Sequence, residues 1–401
     1  MVEEKKIPRG YKKTEAGVIP EEWGLKRIGD IAQINMGQSP DSRFYNVNRK
    51  GLPLIQGNAD IIRRKAAVRV YTSSITKVAM DGDILMTVRA PVGYIAKTLF
   101  KCCIGRGICA ISYKNDYLYH YLIFIENSWA TTSTGSTFDS ITKNNLNNAL
   151  VKLPESNKEQ MEIAEVLSDV DDLINSIENL IEKKQKIKQG AMQELLTGKK
   201  RLPGFSGAWE TRKIEEMAKI VNGGTPSTLK KEYWGGEINF CTPTDITSCS
   251  NKYLFKTEKT ITPEGLDNCS ATLLPEGTLL LCSRATIGEV RIAGTVIATN
   301  QGFKSLVCEN LVYNEFLYYY IQQLKGLFIS MASGSTFLEI SKKDLANIDI
   351  FLPPLAEQQA IAQILSDMDS EIETLEEKLK KYQALKQGLM QELLTGRIRL
   401  L

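Results

Sequence analysis

The chain has 401 residues, 43% of them hydrophobic and 24% charged, and 50 Lys/Arg against 47 Asp/Glu leave a net charge of +3. That is enough material for more than one core, no apolar run is long enough to span a bilayer, and the start MVEEKKIPRGYKK lacks the apolar stretch of a secretory signal, so a cytoplasmic protein with no membrane partner is expected. Eight cysteines without a C-x-x-C pair and a single histidine, His120, leave the usual zinc spacings unfilled, so no metal site is expected and the thiols read as reduced and mostly buried.

The first globular stretch opens with Trp23-Gly-Leu-Lys-Arg-Ile28 and runs through Ala32 and Gly37 to Pro40; Trp209, Ile214, Ala218, Gly223 and Pro226 repeat it 186 residues later. Each opening reads as a short helix or strand running into a Gly/Pro turn. Gly82-Asp-Ile-Leu-Met-Thr-Val-Arg89 reads as a buried strand that delivers an arginine at its end, and Gly277-Thr-Leu-Leu-Leu-Cys-Ser-Arg284 matches it at an offset of 195. An aromatic amphipathic helix follows in each half, around Tyr117–Ile125 and Phe316–Ile321. Then Gly135-Ser-Thr-Phe138-Asp-Ser-Ile141-Thr-Lys143 returns as Gly334-Ser-Thr-Phe337-Leu-Glu-Ile340-Ser-Lys342, and each half leaves through Leu-Pro at Pro154 or Pro353. The middles, 41–81 and 227–276, share almost nothing beyond Asp60 and Asp245. Similar frames with unlike inserts suit two related readers of two different targets.

The longest repeat is Glu159–Gly198, which returns without a gap as Glu357–Gly396. Ile163, Leu167, Val170, Ile174, Ile177 and Ile181 step by four and three, the seam of a coiled coil, and Ile361, Leu365, Met368, Ile372, Leu375 and Leu379 keep that register. Two long helices each wanting one partner are supplied by one chain. A Gly/Pro-rich joint, 201–208, links the halves. The expected division is therefore 1–153, a helix at 154–200, 201–352, and a helix at 353–401. Residues 1–153 hold 22 Lys/Arg against 13 Asp/Glu, so the first globular part carries the positive field that a polyanion would feel.

Catalytic signatures are missing. There is no G-x-x-x-x-G-K-[ST] phosphate loop, and the only Pro-Pro, Pro353-Pro354, is followed by Leu355 and not by the aromatic of an amino-methyltransferase motif. Gly105-Arg-Gly107 is no dinucleotide fingerprint. His120 is read as a core or interface residue, with Tyr319 as its counterpart, and the Lys183–Lys188 run as a solvated helix face.

The leader Gly17-Val-Ile-Pro20-Glu-Glu-Trp23, the Gly-Ser-Thr-Phe-x-x-Ile segments, the Glu-Gln…Ile-Ala…Leu-Ser-Asp helix starts and the Gln-Glu-Leu-Leu-Thr-Gly helix ends together resemble the specificity subunits of type I restriction-modification enzymes, over nearly the full chain. The resemblance implies an α/β (α+β) protein: two β-rich mixed target recognition domains, joined by two long helices in an antiparallel coiled coil with an internal pseudo-twofold repeat. It implies a non-catalytic subunit that reads a two-part asymmetric site in double-stranded DNA and docks two methyltransferase subunits and, through the complex, the restriction subunits. The chain itself needs no cofactor; S-adenosylmethionine, ATP and Mg belong to those partners. A single-chain methyltransferase or nuclease and a protein-only coiled-coil adaptor are the competing readings.

Contact residues do not carry over from the family, so the candidates come from chemistry: arginine forks for guanine, amides for adenine, hydroxyls and lysines for phosphate. In the first half these are Gln38, Ser39, Arg63, Arg64, Arg89, Thr137 and Lys143. In the second they are Thr225, Lys230, Thr242, Arg284, Thr336 and Lys342. Ile163, Leu167, Ile174, Ile361, Leu365 and Ile372 mark the helices expected to dock the partners.

Overall fold

The structure, a computed structural model, describes residues 7–132, 140–332 and 338–400. The chain forms two compact units, Met1–Glu178 with Glu377–Leu401, and Asn179–Glu376. Both are β-rich with helices, and both are built to one plan.

Each unit opens on a strand that its own far end closes: Trp23–Arg27 pairs antiparallel with Leu150–Pro154, and Glu210–Lys213 with Asp349–Leu352. One helical turn follows, Ile28–Ile31 or Ile214–Met217, because Ile28 and Ile214 are fully buried there and anchor it. The main sheet of the first unit runs Gln33–Met36, Ile108–Ser112, Ile84–Thr87, Ile95–Lys97, Lys65–Ala66, Ile61–Ile62. The second unit repeats its first four places with Ala218–Asn222, Lys304–Cys308, Leu279–Leu281 and Val290–Ala293. Ile84–Thr87 and Leu279–Leu281 are flanked by strands and buried on both faces, which is why they are written as unbroken apolar runs. A second sheet in each unit pairs Cys102–Ile104 in parallel with Leu52–Ile55, and Ile297–Thr299 with Trp234–Cys241.

The one identity shared by the unlike middles has a structural cause. Asp60 and Asp245 are buried, and each accepts a backbone N–H at a matching place: Gln56 N at 2.8 Å and Thr242 N at 2.8 Å. A buried carboxylate satisfied by main-chain donors fixes the turn after the strand in both copies.

The aromatic helices are Tyr117–Phe124 and Asn314–Gln323. The long helices are Asn157–Leu195 and Leu355–Leu393. The first unit contains 157–178 with 377–393, the second 179–195 with 355–376. Both units pair them antiparallel, as Lys386 on Asp171 at 2.6 Å and Lys184 on Glu371 at 2.6 Å require. Ile163, Leu167, Ile174, Ile177 and Ile181 are buried, as are Ile361, Leu365 and Ile372, each such side chain contributing about 1.5–3 kcal/mol relative to an exposed one. The lysine run is not a free cationic face: Lys184 and Lys188 pair with Glu371 and Asp369, and Lys186 with Glu182.

The helix starts are held by a repeated ion pair. Glu159, 2% exposed, accepts from Arg399 Nε at 2.5 Å and Nη2 at 2.9 Å. Glu357, fully buried, accepts from Arg201 Nε at 2.7 Å and Nη2 at 2.7 Å. Each arginine lies three residues beyond the glycine that ends the other long helix, Gly198 or Gly396, both in the left-handed conformation at φ 71° and 73°. The neighbouring glutamines complete the cap: Gln160 donates to Pro154 O at 2.7 Å and Gln358 to Pro353 O at 2.8 Å. In the first unit the clamp also gathers the leader, with Glu22 on Arg399 at 2.8 Å and the Tyr11 hydroxyl donating to Gly396 O at 3.0 Å.

His120 is buried, its Nε2 3.0 Å from the Ser168 hydroxyl. Asp171 stands 3.8 Å from Nδ1 through one carboxylate oxygen, while Lys386 pairs with the other at 2.6 Å. Burial, with Lys386 and Lys97 nearby, pushes its pKa down to about 3. In the second unit the Tyr319 hydroxyl occupies the same place and donates to Asp369 at 2.7 Å.

Arg399→Met leaves the Glu159 carboxylate buried without its cation and is expected to cost about 3–5 kcal/mol, with part of the loss restored in the double variant that also carries Glu159→Gln; unchanged thermal unfolding of the single variant would show the clamp to be idle. The depressed folded-state pKa of His120 means that the unfolded chain takes up the proton first, so its contribution is whole above about pH 6.5 and falls as pH drops toward 3. Between pH 7 and 5 the wild type should therefore lose more stability than His120→Gln, by at most about 1.4 kcal/mol per pH unit; parallel urea midpoints would refute this.

Candidate nucleic-acid interface

At one end of each unit three turns converge on the ends of the buried strands. In the first unit Gly37 N donates to Ile108 O at 2.9 Å, Gln38 N to Ile104 O at 2.9 Å, Gly105 N to Ile55 O at 2.8 Å, and Val88 N to Gly107 O at 2.9 Å. The second unit makes three of these bonds with its matching residues: Gly224 N to Thr299 O at 3.0 Å, Asn300 N to Cys241 O at 3.1 Å, and Ser283 N to Gly302 O at 2.8 Å. Glycine is needed for close approach: a Cβ on Gly37 would stand 2.2 Å from Gly105 O, and one on Gly223 1.8 Å from Asn300 O. A rigid, side-chain-free mount with a few outward polar groups is what a groove reader requires.

The chain delivers both strand-end arginines here, and their surroundings differ. Arg89 is exposed, bridged through its backbone to Ser140, and its guanidinium has no partner among the described residues. Arg284 is half-buried and donates from Nε to Glu339 at 2.7 Å, while Lys304 holds the other oxygen at 2.8 Å. Burial alone would raise the Glu339 carboxyl; the bonds from Arg284 and Lys304 outweigh it and hold it below the usual carboxylate range. The first unit has Ser140 and Cys109 where the second has Glu339 and Lys304, so the equivalence expected of the two arginines does not hold. One is offered to solvent and the other neutralised.

Of the remaining candidates, Gln38 and Ser39 are in the converging turns, Ser39 Oγ accepting from Arg106 N at 3.1 Å. Thr225 lies in the matching turn and donates its hydroxyl to Gln301 Oε1. Lys143 and Lys342 are exposed first residues of short helices capped by Thr142 and Ser341. The caps are thus one residue past Ile141 and Ile340, and Thr137 and Thr336 lie outside the described residues.

Three expectations are redirected by geometry. Arg63 and Arg64 sit at left-handed φ of 47° and 58°; Arg63 stands 3.5 Å from Glu178, and Arg64 donates to Glu126 at 2.6 Å and Ile95 O at 3.0 Å. They tie the first middle to its own unit. Thr242 is used by Asp245, its hydroxyl donating at 2.6 Å, and Lys230 by the Tyr233 oxygen at 2.6 Å. Ile163, Leu167, Ile174, Ile361, Leu365 and Ile372 are all at most 8% exposed, so they hold the helices and cores together and offer no surface for docking.

Sequence reasoning missed the glutamate–arginine clamps, although Glu-Gln at both helix starts and Arg three past both glycines were visible at the offset of 198. No group of acidic, His or Cys side chains suited to a metal occurs among the described residues, and no helix among them is long and apolar enough to cross a membrane. The asymmetry of the arginines has a measurable consequence: Arg284→Ala should lower folding stability by up to about 1 kcal/mol, the range of a partly exposed pair, whereas Arg89→Ala leaves it unchanged. Equal thermal shifts in both variants would remove the distinction.

The chain matches the family model of the type I restriction modification DNA specificity domain twice, at residues 20–189 and 207–384. It is 39% identical over 167 residues to the type I restriction enzyme MjaIX specificity subunit of Methanocaldococcus jannaschii, covering 41% of this chain and 39% of that one. Another relative from that organism is 38% identical over 201 residues, so the matches span less than half the length of both. The MjaVIII specificity subunit is 24% identical over 95% of this chain and 94% of its own length. Among solved structures, the S subunit of a type I restriction-modification system from M. genitalium has the same fold, with a TM-score of 0.63 at 14% identity over 97% of this chain and 98% of that one. A chain from a structural study of complex assembly in a type I R-M system gives 0.56 at 21% identity, over 95% and 99%. With two copies of the family domain filling most of its length, on the duplicated frame described above, the chain belongs to the type I restriction modification DNA specificity family.

Proposed function

We propose that the chain is the non-catalytic specificity subunit of a type I restriction-modification complex, and that each unit reads one half of a two-part, asymmetric DNA site. The observation that carries this is a repeated mount bearing unlike surroundings: the same converging turns in both units, with an exposed Arg89 in one and a neutralised Arg284 in the other. Two identical readers would recognise a palindrome; two that differ only at the surface recognise different half-sites. Phosphate contacts come from the excess of cations in residues 1–153, and base contacts from the turns.

The long helices set the distance between the readers. At 39 residues each is about 58 Å long at 1.5 Å per residue, more than the ~34 Å of one duplex turn that separates half-sites read from one face. Their outer faces dock two methyltransferase subunits, which bind S-adenosylmethionine, and the restriction subunits of the complex bind ATP and Mg. The net charge of +3 supports weak DNA binding by the chain alone.

The test is to express the chain with its methyltransferase subunits and map methylated bases across genomic DNA. A single motif of two unlike halves separated by a fixed unread gap is expected, with no methylation by the purified chain alone. A continuous or palindromic motif, or methyl transfer by the isolated chain, would overturn the proposal.

A further inference from the structure

The frame repeats, yet at one exposed position the two copies carry different base-reading chemistry. Gly105-Arg106-Gly107 joins Cys102–Ile104 to Ile108–Ser112 in the first unit, and Asn300-Gln301-Gly302 follows Ile297–Thr299 in the second. The flanking main-chain bonds described above put Arg106 and Gln301 in the same place on the same mount. Both side chains are exposed. A Cβ on Gly107 would lie 2.3 Å from Gln56 O, so the residue beside Arg106 has no room for a side chain and the tip alone projects.

We propose that Arg106 and Gln301 are the equivalent specificity-determining residues of the two half-sites, Arg106 taking a guanine through O6 and N7 and Gln301 an adenine through N6 and N7. The assignment rests on the reading of the chain as a DNA specificity subunit and adds which position distinguishes its halves. Arg106 has no side-chain partner among the described residues, so its fork is available for a bidentate acceptor. Gln301 carries no charge for a phosphate, and the Thr225 hydroxyl bound to its Oε1 fixes which end of the amide accepts and which donates. An adenine edge offers the complementary donor and acceptor. In the first unit Ser39, at the place of Thr225, bonds the Arg106 backbone and not its side chain.

The experiment uses the full chain assembled with its methyltransferase subunits, in wild type and in R106Q, R106K and Q301A, reading the methylated motif and the salt dependence of DNA binding. R106Q and R106K are both expected to lose discrimination at one base of one half-site by roughly 10- to 100-fold, with the other half and the gap unchanged. Q301A does the same at one base of the other half-site. Lysine keeps the charge and lacks the fork, so a wild-type motif in R106K, with only R106Q binding more weakly and with a shallower salt slope, would make Arg106 a phosphate contact and overturn the assignment. An unchanged motif in Q301A would overturn it for the second half. A wild-type complex without a two-part motif would instead remove the specificity reading itself, and this inference with it. Thermal melts of all variants are expected to match the wild type, as suits exposed tips.

Discussion

The structure depends on two buried carboxylates. Glu159 and Glu357 begin the long helices inside the cores, where an unpaired charge is not tolerated, and each is answered by a bidentate arginine from just beyond the end of the opposite helix. Because the arginine sits three residues past a glycine in the left-handed conformation, the helix must stop there for the guanidinium to arrive. The ion pair therefore fixes the register of the antiparallel helices at both ends. An apolar seam alone tolerates slippage by a heptad; a buried charge that must meet its partner does not.

Around those anchors each unit works as a rigid stand. The start of one helix and the end of the other enter one core with the aromatic helix, as Ile163, Leu167, Met390 and Leu393 do beside Tyr117 in the first unit, and Leu195, Leu196, Ile361 and Leu365 beside Phe316 in the second. The strands leave that core and end in the converging turns, so side chains at the tips inherit the stiffness of main-chain hydrogen bonds. Variation is then confined to the tips and the unlike middles, where it alters what is touched without altering what is held.

Much of this was legible in the chain. Gap-free repetition at an offset of 198 and a four-and-three apolar step identify the long helices, and an unbroken apolar run identifies Ile84–Thr87 as an interior strand, because both signals are local. What was hidden depends on distance. Arg399 lies 240 residues from Glu159, and nothing in the neighbourhood of either predicts the meeting. Arg63 and Arg64 look like DNA-facing cations in a basic stretch, and only their left-handed backbone and their bonds to Glu178 and Glu126 reveal an internal task. Arg89 and Arg284 look alike because the feature that separates them, Glu339 with Lys304, sits on other strands. Periodicity reports which face is buried, not which charge is answered.

The two units differ in how they are drawn from the chain: the second is one continuous stretch, 179–376, whereas the first joins 1–178 to 377–401. During synthesis the second unit has every residue it needs once position 376 has emerged. The first does not, because Met390, Leu393, Leu394 and Arg399 supply part of its core and the cation for Glu159. Until they appear, part of the apolar side of residues 157–178 lacks its cover for the time needed to make some 200 further residues, about 10–40 s at roughly 5–20 residues per second. The first unit is thus the last to complete its core.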